Sequence, residues 1–133
     1  MKFWTITLAG TAMALVLAAC GGGTANTGNS SGGSCTQKGA ATGATAAQTV
    51  KLNSDPNTIG RFDPQTTTVK VGDTVEWDWV DTSAPHTVTA LDGSFESCTQ
   101  NAGFKFMVTF SKAGDVQYHC TIHSGMTGDV KVS

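Results

Sequence analysis

From about residue 48 onward, apolar and polar residues alternate in short runs, which is the pattern of half-buried β-strands. In the clearest run, Thr74–Val80, every second residue is apolar. Val75, Trp77 and Trp79 therefore share one face, which we predict to be buried, and the acidic residues between them share the other. No stretch of this region has the period of an amphipathic helix. Further strands are predicted at residues 50–52, 67–71, 86–91, 104–110, 116–120 and 128–132.

Turn signals separate these strands, among them Gly72-Asp73 and Asp92-Gly93. Short strands with turns between them predict an all-β fold, an antiparallel β-sandwich of about seven or eight strands. Residues 48–133 are sufficient for one such core, so we expect one folded domain there.

The first residues have the pattern of a secretory signal peptide, with Lys2 followed by an uncharged apolar stretch to Ala19. Its end, Leu17-Ala18-Ala19-Cys20, resembles the lipobox of bacterial lipoproteins, which implies cleavage after residue 19 and a lipid on Cys20. The alternative is a short uncleaved membrane anchor. Both interpretations place the rest of the chain outside the cytoplasm.

Residues 20–47 are rich in Gly, Ser, Thr, Ala and Asn and have almost no large apolar side chain. Such a segment buries too little surface to offset the entropy of ordering it. We therefore predict a flexible tether between the membrane and the domain at 48–133.

The charge balance excludes one class of partner. The chain has 8 basic and 10 acidic residues and no basic run, so we expect no nucleic-acid binding. Asp78, Asp81, Asp92 and Glu96 are expected to lie on solvated faces, with docking of a partner protein as the alternative role.

Four donor side chains stand out. Cys120, His123 and Met126 are three residues apart, so one short loop can turn all three toward one point. This loop lies between two predicted strands and would cap one end of the sandwich, and His86 begins a strand that could start at the same end. One thiolate, two imidazoles and one thioether are the donors of a blue-copper electron-transfer site.

Three segments carry a family resemblance: 71–77, 84–88 and 118–128. They resemble the cupredoxins, in particular the small blue copper proteins of the plastocyanin, amicyanin and halocyanin group. The resemblance covers most of residues 48–133. It implies a Greek-key β-sandwich and an electron carrier rather than an enzyme.

The resemblance also implies roles for the four donors. His86, Cys120 and His123 match the strong ligands of one copper ion that alternates between Cu(I) and Cu(II), and Met126 matches the weak axial ligand. A packing role is the alternative for Met126, and a buried core thiol is the alternative for Cys120.

One position departs from the family pattern, because Ile122 stands where plastocyanin and amicyanin have proline. Unlike proline, Ile122 has a backbone N–H, which could donate to the sulfur of Cys120 beside the expected donor, the N–H of Thr87. Replacing Ile122 by proline is therefore predicted to lower the reduction potential.

His119 is next to the ligand cysteine, but strand alternation directs it to the opposite face. A solvated histidine on the outer face is the simpler interpretation, and a second entry point for electrons is the alternative.

The remaining cysteines are Cys35 and Cys98. In an exported chain we expect them to form a disulfide, with two free thiols as the alternative.

Together these features predict a monomeric one-electron carrier that is lipid-anchored on the extracytoplasmic side of the membrane. Its partners would be a redox donor and a redox acceptor protein, which the sequence does not identify. The alternative is a lipoprotein that traffics or stores exchangeable copper. A copper enzyme would need a second metal site, for which only His119 remains.

Overall fold

The computed structural model describes residues 34–133. The predicted signal peptide at 1–19, the lipidation site Cys20 and the tether up to residue 33 lie outside the described residues. In the described part no helix could cross a membrane. The strands are β1 (Gln48–Asp55), β2 (Ile59–Asp63), β3 (Thr66–Val69), β4 (Thr74–Trp79), β5 (Thr89–Ala90), β6 (Lys105–Thr109), β7 (Gly114–His119) and β8 (Thr127–Val132).

The strands form two four-stranded sheets, in the orders β2-β1-β4-β6 and β3-β8-β7-β5. The predicted all-β sandwich is confirmed, but the sheets are mixed rather than wholly antiparallel. β1 pairs with β4, and β3 pairs with β8, in parallel. Parallel neighbours need a crossover connection, and here the chain leaves the first sheet to form β3 in the second before it returns as β4.

The core lies between the sheets and is rich in aromatic side chains. Val75, Trp77 and Trp79 of β4 are at most 1% exposed, which confirms the predicted inner face. The Trp77 ring packs edge-on against Tyr118 of β7, with 5.2 Å between ring centroids. This contact joins the two sheets directly beneath the end of β7.

Two elements differ from the predicted strands. β2 was not predicted, because its buried positions are only Gly60 and Phe62 while Ile59 is exposed, so the strand has no clear apolar period. The strand predicted at 86–91 is reduced to β5. Residues 86–88 do not pair with β7. The backbone of His86 instead forms an isolated bridge with Gln100.

The segment Cys35–Ala47, at the end of the predicted tether, is held against the domain. The expected disulfide between Cys35 and Cys98 is present. Lys38 and Glu96 exchange two backbone hydrogen bonds, of 2.9 and 3.0 Å. These links fix the segment along the domain. The disulfide and the backbone pairing offset the entropy cost of ordering it, which its few apolar side chains could not offset alone.

Candidate metal centre

The loop that follows β7 holds three of the four predicted donors. Cys120 comes directly after β7 and Met126 directly before β8, and the backbone N–H of Cys120 donates to the carbonyl of Met126 at 3.0 Å. Gly125 has a φ of 83°, a left-handed conformation that glycine adopts without strain. The loop thus closes tightly over the end of the sandwich, and Cys120 and Met126 are 4% and 1% exposed.

The fourth predicted donor, His86, lies between β4 and β5 and is fully buried. The indole N–H of Trp79 donates to its carbonyl at 3.0 Å. Its backbone N–H and C=O both pair with Gln100, at 3.0 and 2.9 Å. These hydrogen bonds therefore hold the backbone of His86 in place without a metal.

Three donors converge at this end of the sandwich. The Nδ1 atoms of His86 and His123 are 3.0 Å apart, and the Sγ atom of Cys120 lies 3.6 Å from Nδ1 of His123. The donor atoms of the three residues all lie within 4.8 Å of one another.

Met126 reaches the same place from the side of β2. A Cβ atom built on Gly60 would lie 2.9 Å from Nδ1 of His86 and 2.9 Å from Sδ of Met126. Because both atoms lie 2.9 Å from this one position, no more than twice that distance separates them. The structure thus brings together all four side chains that the sequence singled out.

Asp81 belongs to this site, and the prediction that it is solvated was wrong. Its Oδ2 atom lies 2.8 Å from Nε2 of His86, and the two side chains are 1% and 0% exposed. Its Oδ1 atom accepts from the N–H and the hydroxyl of Ser83, at 2.7 and 2.5 Å. The only sequence signal was the short Asp-Thr-Ser turn ahead of His86, because burial of Asp81 depends on how this turn packs.

The pKa of Asp81 lies below its ordinary value. Burial alone would raise this pKa, but the hydrogen bonds from Ser83 and His86 outweigh burial. An ionised carboxylate can only accept, so His86 donates its Nε2 proton to Asp81. Nδ1 is then the ring nitrogen of His86 that faces Cys120 and His123, and a metal that displaces its proton would find its lone pair aimed at that point.

The sulfur of Cys120 lies in a setting that favours the thiolate. Burial raises the pKa of Cys120, but hydrogen bonds from His86 and the Thr87 N–H, together with the nearby backbone N–H groups of Ile122 and His123, bring it below the ordinary value. The Thr87 N–H forms a hydrogen bond to the sulfur at 3.4 Å. The Ile122 N–H acts on the thiolate but does not reach hydrogen-bonding geometry in this structure.

His119 does not join the donor group. It ends β7 and lines a groove with Leu91 and Ile122, and its Nδ1 atom is buried without a hydrogen-bond partner. Its ring nitrogens are therefore not part of the cluster of ligand-type atoms, and the half-buried ring is not the solvated histidine that was expected.

The donor set fits copper. A buried thiolate, a thioether and two imidazoles suit both Cu(I) and Cu(II), and the cluster of His86, Cys120 and His123 includes none of the carboxylates that Mg²⁺ and Ca²⁺ prefer. A second group within the described residues, Cys35, Glu96 and Cys98, also has ligand-type atoms close together. Its sulfurs are joined in the disulfide, so it is not a competing metal site.

Comparison with protein families gives a match over residues 48–133 to the copper binding proteins of the plastocyanin/azurin family. Among individual proteins, a halocyanin from Natronomonas pharaonis is 40% identical over 77 residues. The match covers 53% of this chain and 47% of the halocyanin, so it spans about half the length of that relative.

Solved structures give the same fold. A purple cupredoxin from Nitrosopumilus maritimus superposes with a TM-score of 0.53 and 26% identity, over 62% of this chain and 98% of that one. A reduced Cu(I) form of an amicyanin mutant superposes with a TM-score of 0.57 and 28% identity, over 74% and 92% of the two chains.

Proposed function

The chain belongs to the plastocyanin/azurin family of copper-binding proteins, and from this premise we propose that it is a one-electron carrier tethered to the extracytoplasmic side of a membrane. The observation that carries the proposal is the convergence of His86, Cys120 and His123 at the buried end of the sandwich. A copper ion held there supplies a Cu(I)/Cu(II) couple.

Nδ1 of His86, Sγ of Cys120 and Nδ1 of His123 would hold a copper ion as strong ligands, and Sδ of Met126 would be a weaker fourth donor. Three features of the protein hold these donors in place: the Asp81 carboxylate, the Thr87 N–H and the closed loop 120–126. Because the fold fixes the donors, little rearrangement accompanies gain or loss of an electron. With four protein donors, a copper ion held there would have no open position for a substrate, which supports a carrier over an enzyme.

The route for electrons is proposed to pass through His123. This ring is partly exposed, whereas His86 is fully buried. Its neighbour Ile122 is 46% exposed and adds apolar surface beside it. A donor or acceptor redox protein that docks on this uncharged loop would approach the site through the His123 edge.

Anchoring through a lipid on Cys20 is the second part of the proposal. The pattern at residues 1–20 supports it, and the Cys35–Cys98 disulfide is of the kind that persists outside the cytoplasm. Mass spectrometry of the native protein should find a lipidated Cys20 at the mature N-terminus. A matched Cys20→Ala variant should lose the lipid, and an unlipidated native N-terminus would contradict the anchor.

Voltammetry of the copper-loaded protein tests the carrier function. We expect a reversible one-electron wave, with copper retained through repeated cycles in the presence of a competing chelator. The rival role in copper trafficking requires release of copper to the chelator within the same period. Such release, without a reversible wave, would contradict the proposal.

A further inference from the structure

Gly60 of β2 lies directly against two of the proposed ligands. A Cβ atom at this position would lie 2.9 Å from Sδ of Met126 and from Nδ1 of His86, and closer still to Cε1 of the His86 ring. Real Cβ atoms do not make contacts this short. Any side chain at residue 60 would therefore displace one or both donors.

The obstacle to a side chain is steric and does not come from the backbone. Gly60 is absent from the glycines with positive φ in the described chain, so alanine could adopt its conformation. The neighbouring groups have little freedom to retreat. His86 is fully buried and held on its far edge by Asp81 at 2.8 Å, and Met126 is 1% exposed.

The turn before β2 fixes where Gly60 lies. Oδ1 of Asp55 accepts the N–H of Asn57 at 2.8 Å, and the hydroxyl of Thr58 donates to the carbonyl of Gly60 at 2.7 Å. Ile59 has a φ of 69°, a costly conformation for a β-branched residue that persists only where the surroundings impose it. The Gly60 carbonyl accepts from Thr58. Gly60 therefore affects the site because it has no side chain to fill the space that the donors occupy.

We propose that Gly60 is a positioning residue of the metal centre, one that lets the Met126 sulfur and the His86 imidazole close on the same point. This inference rests on the proposed function, in which both residues are ligands. It adds that β2, which offers no donor of its own, controls how closely the Met126 thioether approaches the three strong donors.

The test compares Gly60→Ala with Gly128→Ala in the full mature chain. Gly128 is a matched control, because its φ is also unstrained and a Cβ there would lie 2.5 Å from the hydroxyl of Tyr118 and against its ring. Both variants overpack the core, but only Gly60→Ala reaches the donors. We expect Gly60→Ala to weaken Cu(I) binding about tenfold and to change the relative intensities of the visible absorption bands. Gly128→Ala should lower stability and keep the wild-type spectrum.

Wild-type Cu(I) affinity and an unchanged spectrum in Gly60→Ala would overturn the inference. A second measurement needs no variant: in the copper-free wild-type chain, nuclear Overhauser effects should join the Gly60 Hα protons to His86 Hε1 and to the Met126 methyl group. Their absence would also overturn it. A different result would contradict the proposed function, namely a wild-type protein without the copper–thiolate absorption.

Discussion

The Oδ2 atom of Asp81 accepts a hydrogen bond from Nε2 of His86 at 2.8 Å, and both side chains are buried. This contact fixes which ring nitrogen of His86 keeps its proton and turns the other toward the remaining donors. It also places a negative charge one imidazole ring away from the proposed metal position.

Replacing Asp81 by asparagine keeps the size of the side chain and removes its charge. The reduction potential should rise, because the oxidised site loses a nearby anion. We expect a rise on the order of 60 mV, equivalent to about 1.4 kcal/mol for one electron. Voltammetry measures it, and Asp78→Asn is the control, since Asp78 faces Lys105 on the outer side of β4. Equal shifts in both variants would show that Asp81 acts only through overall charge.

Replacing Ile122 by proline removes one backbone N–H near the Cys120 sulfur. Loss of this N–H dipole beside the thiolate should lower the potential. A full hydrogen bond worth about 1 kcal/mol corresponds to roughly 40 mV for a one-electron couple, and the Ile122 N–H, which falls short of hydrogen-bonding geometry, should give a smaller shift. Ile122→Val retains the N–H and should keep the wild-type potential. An unchanged or higher potential in Ile122→Pro would count against a role for this N–H.

The disulfide joins residues 63 positions apart. In the chain-entropy account, removing such a bridge costs about 4 kcal/mol of unfolding free energy. Urea unfolding of the Cys35→Ser, Cys98→Ser double variant should show a loss of this order. The copper–thiolate absorption should persist, because Cys120 is not part of the bridge. Peptide mapping of the wild type without reduction should recover the two cysteines in one cross-linked product, and two free thiols would refute the bridge.

The pKa of Asp55 lies below its ordinary value, chiefly because the backbone N–H of Asn57 donates to it. A depressed carboxyl pKa stabilises the fold above the unfolded-state value of about 3.9, and this stability is lost as the pH falls through the lower folded-state value. Asp55→Asn should therefore be less stable than the wild type at neutral pH, and the gap should narrow in acid. Urea unfolding at neutral and at acid pH measures the difference in unfolding free energy between the two proteins. A difference that is the same at both pH values would contradict this prediction.

The sequence singled out the side chains that come together at the end of the sandwich, because the information for three of them is local. Cys120, His123 and Met126 share one loop, and the strands on either side determine where that loop lies. Asp81 and Gly60 could not be found in this way. An aspartate in a polar turn is usually solvated, and only the packing of the 81–86 turn against the end of the sandwich buries it. Gly60 matters through two distant neighbours that approach it in the folded state, so no local pattern marks it.

The parallel strand pairs have a similar explanation. Alternation within a strand defines its inner face, as it did for Trp77 and Trp79, but it does not define the direction of the neighbouring strand. β1 and β4 run parallel because the chain crosses through the second sheet between them, and this connection depends on the whole chain rather than on either strand.

The visible absorption spectrum of the copper-loaded protein, recorded beside that of Cys120→Ser, tests the central claim most directly. A thiolate ligand should give the Cu(II) form an intense charge-transfer band toward the red end of the spectrum, which a reductant bleaches reversibly. The Cys120→Ser variant should lack this band even where copper remains bound. A colourless wild-type copper complex, or an equally intense band in Cys120→Ser, would contradict the assignment of this site as a cysteine-ligated electron-transfer centre.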